Sequence, residues 1–70
     1  MKIKERATKI CETYAQLVKT EPDLRYRMCA KVWAFSDIGI LTIPEAIKFV
    51  DMIIDNASEA ERRNKRNECN

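Results

Sequence analysis

Three cysteines are the most reactive side chains in this sequence, and Cys11, Cys29 and Cys69 form no CxxC pair. There is no histidine, so the commonest general base, the usual metal ligand and the usual switch near neutral pH are all missing. No nucleophile motif, glycine-rich phosphate loop or paired-cysteine metal site can be found. Cys11 and Cys29 fall in amphipathic stretches and read as small apolar packing residues. Cys69 lies in the C-terminal tail, where an incidental disulfide is expected sooner than a designed one. The expectation is a protein that is not an enzyme and holds no metal or cofactor.

Two further sets of residues have types and spacing that suit binding. Arg25, Arg27 and Lys31 in one segment, and Arg62, Arg63, Lys65 and Arg66 in another, are the candidates for phosphate contacts. Glu59, Glu61 and Glu68 stand among the second group, however, and the net charge is only +2. Cations there also suit the C-terminal dipole of a helix, so nucleic-acid binding is kept as an alternative. Tyr26, Cys29 and Trp33 form the other set, an apolar stripe at helical spacing. Aromatics placed this way serve cores and interfaces more often than base stacking. A small-ligand site between subunits, lined by Trp33, Tyr26 and arginines, is a second alternative. The segment from Ala34 to Ile47 invites a helix-turn-helix reading but fits it poorly. Phe35 is bulky where close packing wants a small residue, and Ile43, Pro44 and Glu45 occupy the turn that would read bases.

The elements that position these residues are all helical. Seventy residues make one small domain, and a single glycine and two prolines leave too few turns for a sheet. One core of this size supplies roughly 3–5 kcal/mol. No uncharged run approaches the ~20 residues of a membrane span, and no apolar segment follows Met1. With unpaired cysteines, these features point to a reducing cytoplasm and no secretory signal.

Leu41 to Ala57 carries the clearest helix. Thr42 and Glu45 form a capping box, and Pro44 lies in the first turn, where its missing N–H is harmless. Ile43, Ala46, Ile47, Val50, Ile53, Ile54 and Ala57 mark its buried face, which ends near Ala60. Beyond it, Glu59–Arg63 and Glu61–Lys65 pairs can carry a solvated extension. An earlier helix, residues 3–19, shows a seam of Ile3, Ala7, Ile10, Tyr14 and Leu17, widened by Cys11 and Val18. Lys2, Lys4 and Arg6 in its first turn have the wrong sign for the helix dipole, so that end should fray or meet an acidic partner. Thr20-Glu21-Pro22-Asp23 repeats the later start signal and predicts a helix over 21–36. Gly39 then suits the left-handed turn, and Ile38, Ile40 and Leu41 should fold back over the core.

The middle helix is apolar on most of its circumference. Leu24, Met28, Val32 and Phe35 form one stripe, while Tyr26, Cys29 and Trp33, extended by Ala30 and Ala34, form a second. A three-helix domain of this size buries no helix completely, so the second stripe is the expected partner surface. The sequence therefore predicts an all-α, compact three-helix bundle with helices near 3–19, 21–36 and 43–63, a single domain over 1–63 and a frayed polar tail at 64–70. It should be a homodimer pairing through the middle helix and one edge of the third, Phe49 and Met52. The expected function is a protein-binding module, an adaptor, regulator or inhibitor. Many stand-alone short helical proteins of bacteria and their phages work in this way. Its partner would be itself or another protein, with no membrane involved.

Overall fold

A computed structural model of the chain describes residues 2–68, and the side chains through Lys65. It contains α1 (Ile3–Leu17), α2 (Arg25–Asp37) and α3 (Ile43–Glu68), with a 3-10 turn over Pro22–Leu24 leading into α2 and no strand among the described residues. The expected tail falls partly on α3, which runs to Glu68; Cys69 and Asn70 lie outside the described residues.

Local chemistry accounts for most of the boundaries. The Thr42 N–H donates to Glu45 Oε1 at 2.9 Å, and the Glu45 N–H donates to Thr42 Oγ1 at 3.3 Å. This capping box starts α3 where the sequence places it. Gly39 takes φ +82, and the Ile40 and Leu41 N–H groups turn back onto the Phe35 carbonyl at 2.9 and 3.2 Å. Only a residue without Cβ adopts that backbone conformation readily.

The second start signal behaves differently. The Thr20 hydroxyl donates to the Leu17 carbonyl at 3.0 Å and so closes α1 instead of capping the next helix. The N–H groups of Thr20 and Glu21 go to the same carbonyl, and α1 ends at Leu17, two residues before the expected limit. The chain then makes its 3-10 turn at Pro22, and α2 begins at Arg25 instead of residue 21. Similar residues thus end one helix and begin another, depending on what precedes them.

Three polar links set the helices in order. Lys4 Nζ meets Glu45 Oε1 at 2.9 Å, and Asn56 Nδ2 donates to the Ala15 carbonyl at 2.9 Å. The linked residues are eleven apart on both helices, so α1 lies parallel to α3 and without slippage. The basic first turn of α1 has therefore found its acidic partner inside the chain. Arg25, at the start of α2, is ion-paired with Glu61, late in α3. Hence α2 runs antiparallel to both neighbours, in an up-down-up bundle. That lengthwise packing also differs from the near-perpendicular crossing of a helix-turn-helix. The 26 residues of α3 span ~39 Å, against ~22 Å for α1. Its last turns overhang the bundle, whose extents are 47 × 21 × 15 Å.

The core is built from unequal contributions. α1 turns Ala7, Cys11 and Ala15 inward, and α3 turns Ala46, Phe49, Ile53, Ala57 and Ala60. Met28 and Val32 of α2, with Val18 and Leu41 from the connections, supply the remaining bulk. The seam expected on α1 is thus rotated: Ile3 and Ile10 are exposed, and Tyr14 and Leu17 are only partly buried. The physical reason is distance, since small side chains let α1 come closer to α3 than isoleucines would. On α3 the buried face is likewise turned, which exposes Ile43 and Ile47 and draws in Phe49. Val50 is packed against the edge of the core.

The Asn56 bond answers a specific need. In a regular helix the Ala15 carbonyl accepts from the Lys19 N–H, but that group donates to Gln16 at 3.1 Å as the turn tightens. The side chain of Asn56 takes its place. Asn56→Ala should lower the unfolding free energy by ~1–3 kcal/mol, and Asn56→Asp by more at neutral pH because two acceptors then face each other. Urea denaturation of the three proteins checks this order. Acid should also act through Glu45, which the Thr42 N–H, then Lys4 and the Thr42 hydroxyl, hold down to about 2 from its ordinary 4.5. A depressed carboxyl stabilises the fold fully above its unfolded value and loses that effect as pH falls toward the folded one. Between those limits the urea midpoint of the wild type should fall, and Glu45→Gln should remove that share of the fall.

Candidate interaction surface

α2 turns Met28 and Val32 inward, with Leu24, Phe35 and Cys29 packed partly against the core. Its opposite side carries Tyr26, 75% exposed, Trp33, 37% exposed, and the exposed Ala30 and Ala34. These positions recur at i, i+4, i+7 and i+8 and so share one face of the helix. Among the described residues this face is left outward at Tyr26, while Trp33 is partly covered. Of the expected stripe, Tyr26 and Trp33 lie on the surface and Cys29 at its inner margin.

Tyr26 is held in place by its neighbour. The Arg25 guanidinium carbon stands 5.5 Å from the centre of the Tyr26 ring, within the range of a cation–π contact. The same guanidinium is anchored by Glu61 across the α2–α3 contact. Its Nε is buried and has no hydrogen-bond partner. One face of the ring thus meets an arginine that is itself ion-paired, and the ring stays exposed.

The edge of α3 assigned to the same surface divides. Met52 is exposed, but Phe49 is 7% exposed and belongs to the core. That correction follows from the turned face of α3, which brings residue 49 between the neighbouring helices. Other apolar side chains are on the surface where the sequence pattern gave no warning. Ile38 is 70% exposed and Ile43 62% exposed, although both were expected to be covered. With Ile3, Ile10 and Ile47 they lie in the half of the bundle that contains the start of α1 and the α2–α3 connection. A hydrophobicity pattern cannot separate such residues from core ones, because exposed Ile47 and buried Ile53 are the same side chain on the same helix.

The basic residues are not equivalent to one another. Arg25 is engaged with Glu61, and Arg62 lies 3.6 Å from Glu59. Neither acid is paired as the i,i+4 pattern suggested. Arg27 and Lys31 are exposed and share a face about 200° round α2 from Arg25. Arg63 and Lys65 are exposed on the overhanging part of α3; the side chain of Arg66 is outside the described residues. An open notch of about 980 Å³ lies under that overhang, between Thr20–Leu24 and residues including Ser58, Glu61 and Lys65. It holds no histidine or thiol. Among the described residues no cluster of histidine, cysteine or acids is arranged to hold a metal ion, and no helix is long and apolar enough to cross a membrane.

Both described thiols are free. Burial, with the charge of Glu12 as a smaller cause, pushes Cys11 up to about 11, and burial also raises Cys29. Each is therefore protonated near neutral pH. Cys11 should react with a thiol reagent only on unfolding, and Cys29 more slowly than a free cysteine; timed labelling with mass spectrometry tests both. Compared with known protein families, with curated proteins and with solved structures, the chain matches none.

Proposed function

We propose that this protein is a small non-enzymatic protein-binding module, working in the cytoplasm, whose binding surface is the outer face of α2. The observation that carries the reading is the exposure of Tyr26 and Trp33 on one helical face around two alanines. Aromatic side chains of this kind dominate binding energy at interfaces, where they enter pockets and exclude water. The Arg25 guanidinium beside the Tyr26 ring adds to this, since a side chain with a partner already in place loses less freedom on association. Met52 and the surface isoleucines extend the apolar area available to a partner. The module regulates or adapts by occupying a surface, either on another protein or on a second copy of itself. Pairing into a homodimer through α2 belongs to the same reading.

The experiment compares the wild type with Trp33→Asp and Tyr26→Ala as baits for in-cell crosslinking, after circular dichroism has shown equal helicity. A protein captured by the wild type should be lost from both variants, and the complex should persist between about 50 mM and 200 mM salt. Equal capture by all three baits would mean that the face is not the binding surface. Retention on nucleic acid that collapses over the same range would replace the reading with phosphate binding through Arg27, Lys31 and the basic residues of α3.

A further inference from the structure

We infer that the outer groove between α1 and α2 receives an acidic amphipathic helix of a partner protein. That groove lies beside the Tyr26–Trp33 face, and its role rests on the reading of the protein as a binding module. Lys4 and Ala15 mark the side of α1 that meets α3, and Arg25 marks the corresponding side of α2. About 150° further round α1, past its core residues, Ile3, Arg6, Ile10 and Leu17 form one stripe. About 150° round α2, again past the core, stand Arg27, Lys31, Ala34 and Ile38. The Ile38 N–H bonds to the Ala34 carbonyl at 3.2 Å, so Ile38 keeps its helical position beyond the last turn. α1 and α2 run antiparallel, and the two stripes are therefore the walls of one groove, ~21 Å long.

Charge and apolar area are arranged together there. Ile3 and Ile38 are both more exposed than Trp33, Ile10 is exposed, and Leu17 is partly buried. Arg6, Arg27 and Lys31 are exposed, and none of the three is ion-paired among the described residues. Neither stripe contains an acid. Glu5 and Glu12 lie about 120° or more away round α1, Asp37 is about 90° outward on α2, and Asp23 lines the notch against α3. Isoleucines in such a strip bury against apolar side chains at helical spacing, and uncompensated cations call for carboxylates on the flanks of the same segment. A helix with both kinds of face lies lengthwise in the groove and becomes the fourth of the bundle. Nucleic acid leaves the isoleucines unused, since bases stack on aromatic rings and guanidinium groups. A flat lipid surface meets the raised Ile3 and Ile38 but not Leu17.

The probe is a synthetic helical peptide with leucines on one face and glutamates on the other, set against the same peptide with lysines for glutamates. Fluorescence anisotropy with the full chain should show binding of the glutamate peptide alone. Arg27→Glu with Lys31→Glu should weaken it about tenfold or more. Arg63→Glu with Lys65→Glu, an equal change of net charge on α3, should leave it unchanged. Arg6→Glu should weaken it too, and there a glutamate suits the helix dipole better than the native residue, so the loss does not come from a weakened fold. Ile38→Ser, at an exposed position, should lower the affinity about tenfold. Tyr26→Ala should bind as the wild type does. Loss through Tyr26→Ala with Ile38→Ser silent moves the peptide to the α2 face and overturns the groove. Equal binding of both peptides, or none up to about 1 mM, also overturns it, while the capture experiment still decides whether the α2 face binds a protein. Preference for phosphatidylserine vesicles or duplex DNA over the glutamate peptide overturns it in favour of phosphate binding.

Discussion

The close approach of α1 and α3 is the constraint on which the other features depend. It is made by side chains of little bulk, Ala7, Cys11 and Ala15 on one helix and Ala46 and Ala57 on the other. Small residues gain little from burial individually, at about 25 cal/mol for each Å², but they allow two backbones to lie near each other. Closeness makes the polar links workable. Lys4 can reach Glu45, and Asn56 can reach a carbonyl of the α1 backbone, only because the helix axes are near and in register.

An alanine-rich contact on one side puts the demand for bulk elsewhere. Met28, Val32, Phe49 and Ile53 fill the space between the third pair of surfaces. The inward face of α2 is therefore committed to the core, and its other face is left outward. Tyr26 and Trp33 remain outside for that reason. Their exposure follows from the economy of a seventy-residue chain, in which three helices share one narrow core. The arginine that steadies Tyr26 comes from the same arrangement, because its anchor Glu61 is on the part of α3 that continues past α1.

The polar groups show the same logic. The capping box at Thr42 does more than start a helix, since Glu45 also receives Lys4 from α1. One carboxylate thus joins a local signal to a tertiary contact and offsets the unfavourable charge of the first turn of α1. Asn56 likewise supplies a partner that the tightened end of α1 lacks. No polar residue is fully buried among the described residues, so these links lie at the margins of the core and leave its centre apolar.

Much of the architecture was legible in the residues alone: three helices, the box at Thr42, the left-handed turn at Gly39, and a middle helix with more apolar circumference than one copy covers. These are consequences of backbone chemistry and periodicity, which act over a few residues at a time. The inward stripe of α2 was legible too, but how far the buried faces of α1 and α3 are turned was decided only by the tertiary structure. Ile3, Ile10, Ile43 and Ile47 are the more hydrophobic choices, yet they are exposed, and Ala15 and Phe49 are buried beside Ala7 and Cys11, which the seam did include. Hydrophobicity ranks side chains singly, whereas packing depends on how near the neighbouring helix can come, and no single segment contains that distance. The role of Thr20 was decided in the same way, because the end of α1 brings the Leu17 carbonyl within reach of its hydroxyl. So was the position of Arg25, whose partner lies thirty-six residues further along the chain.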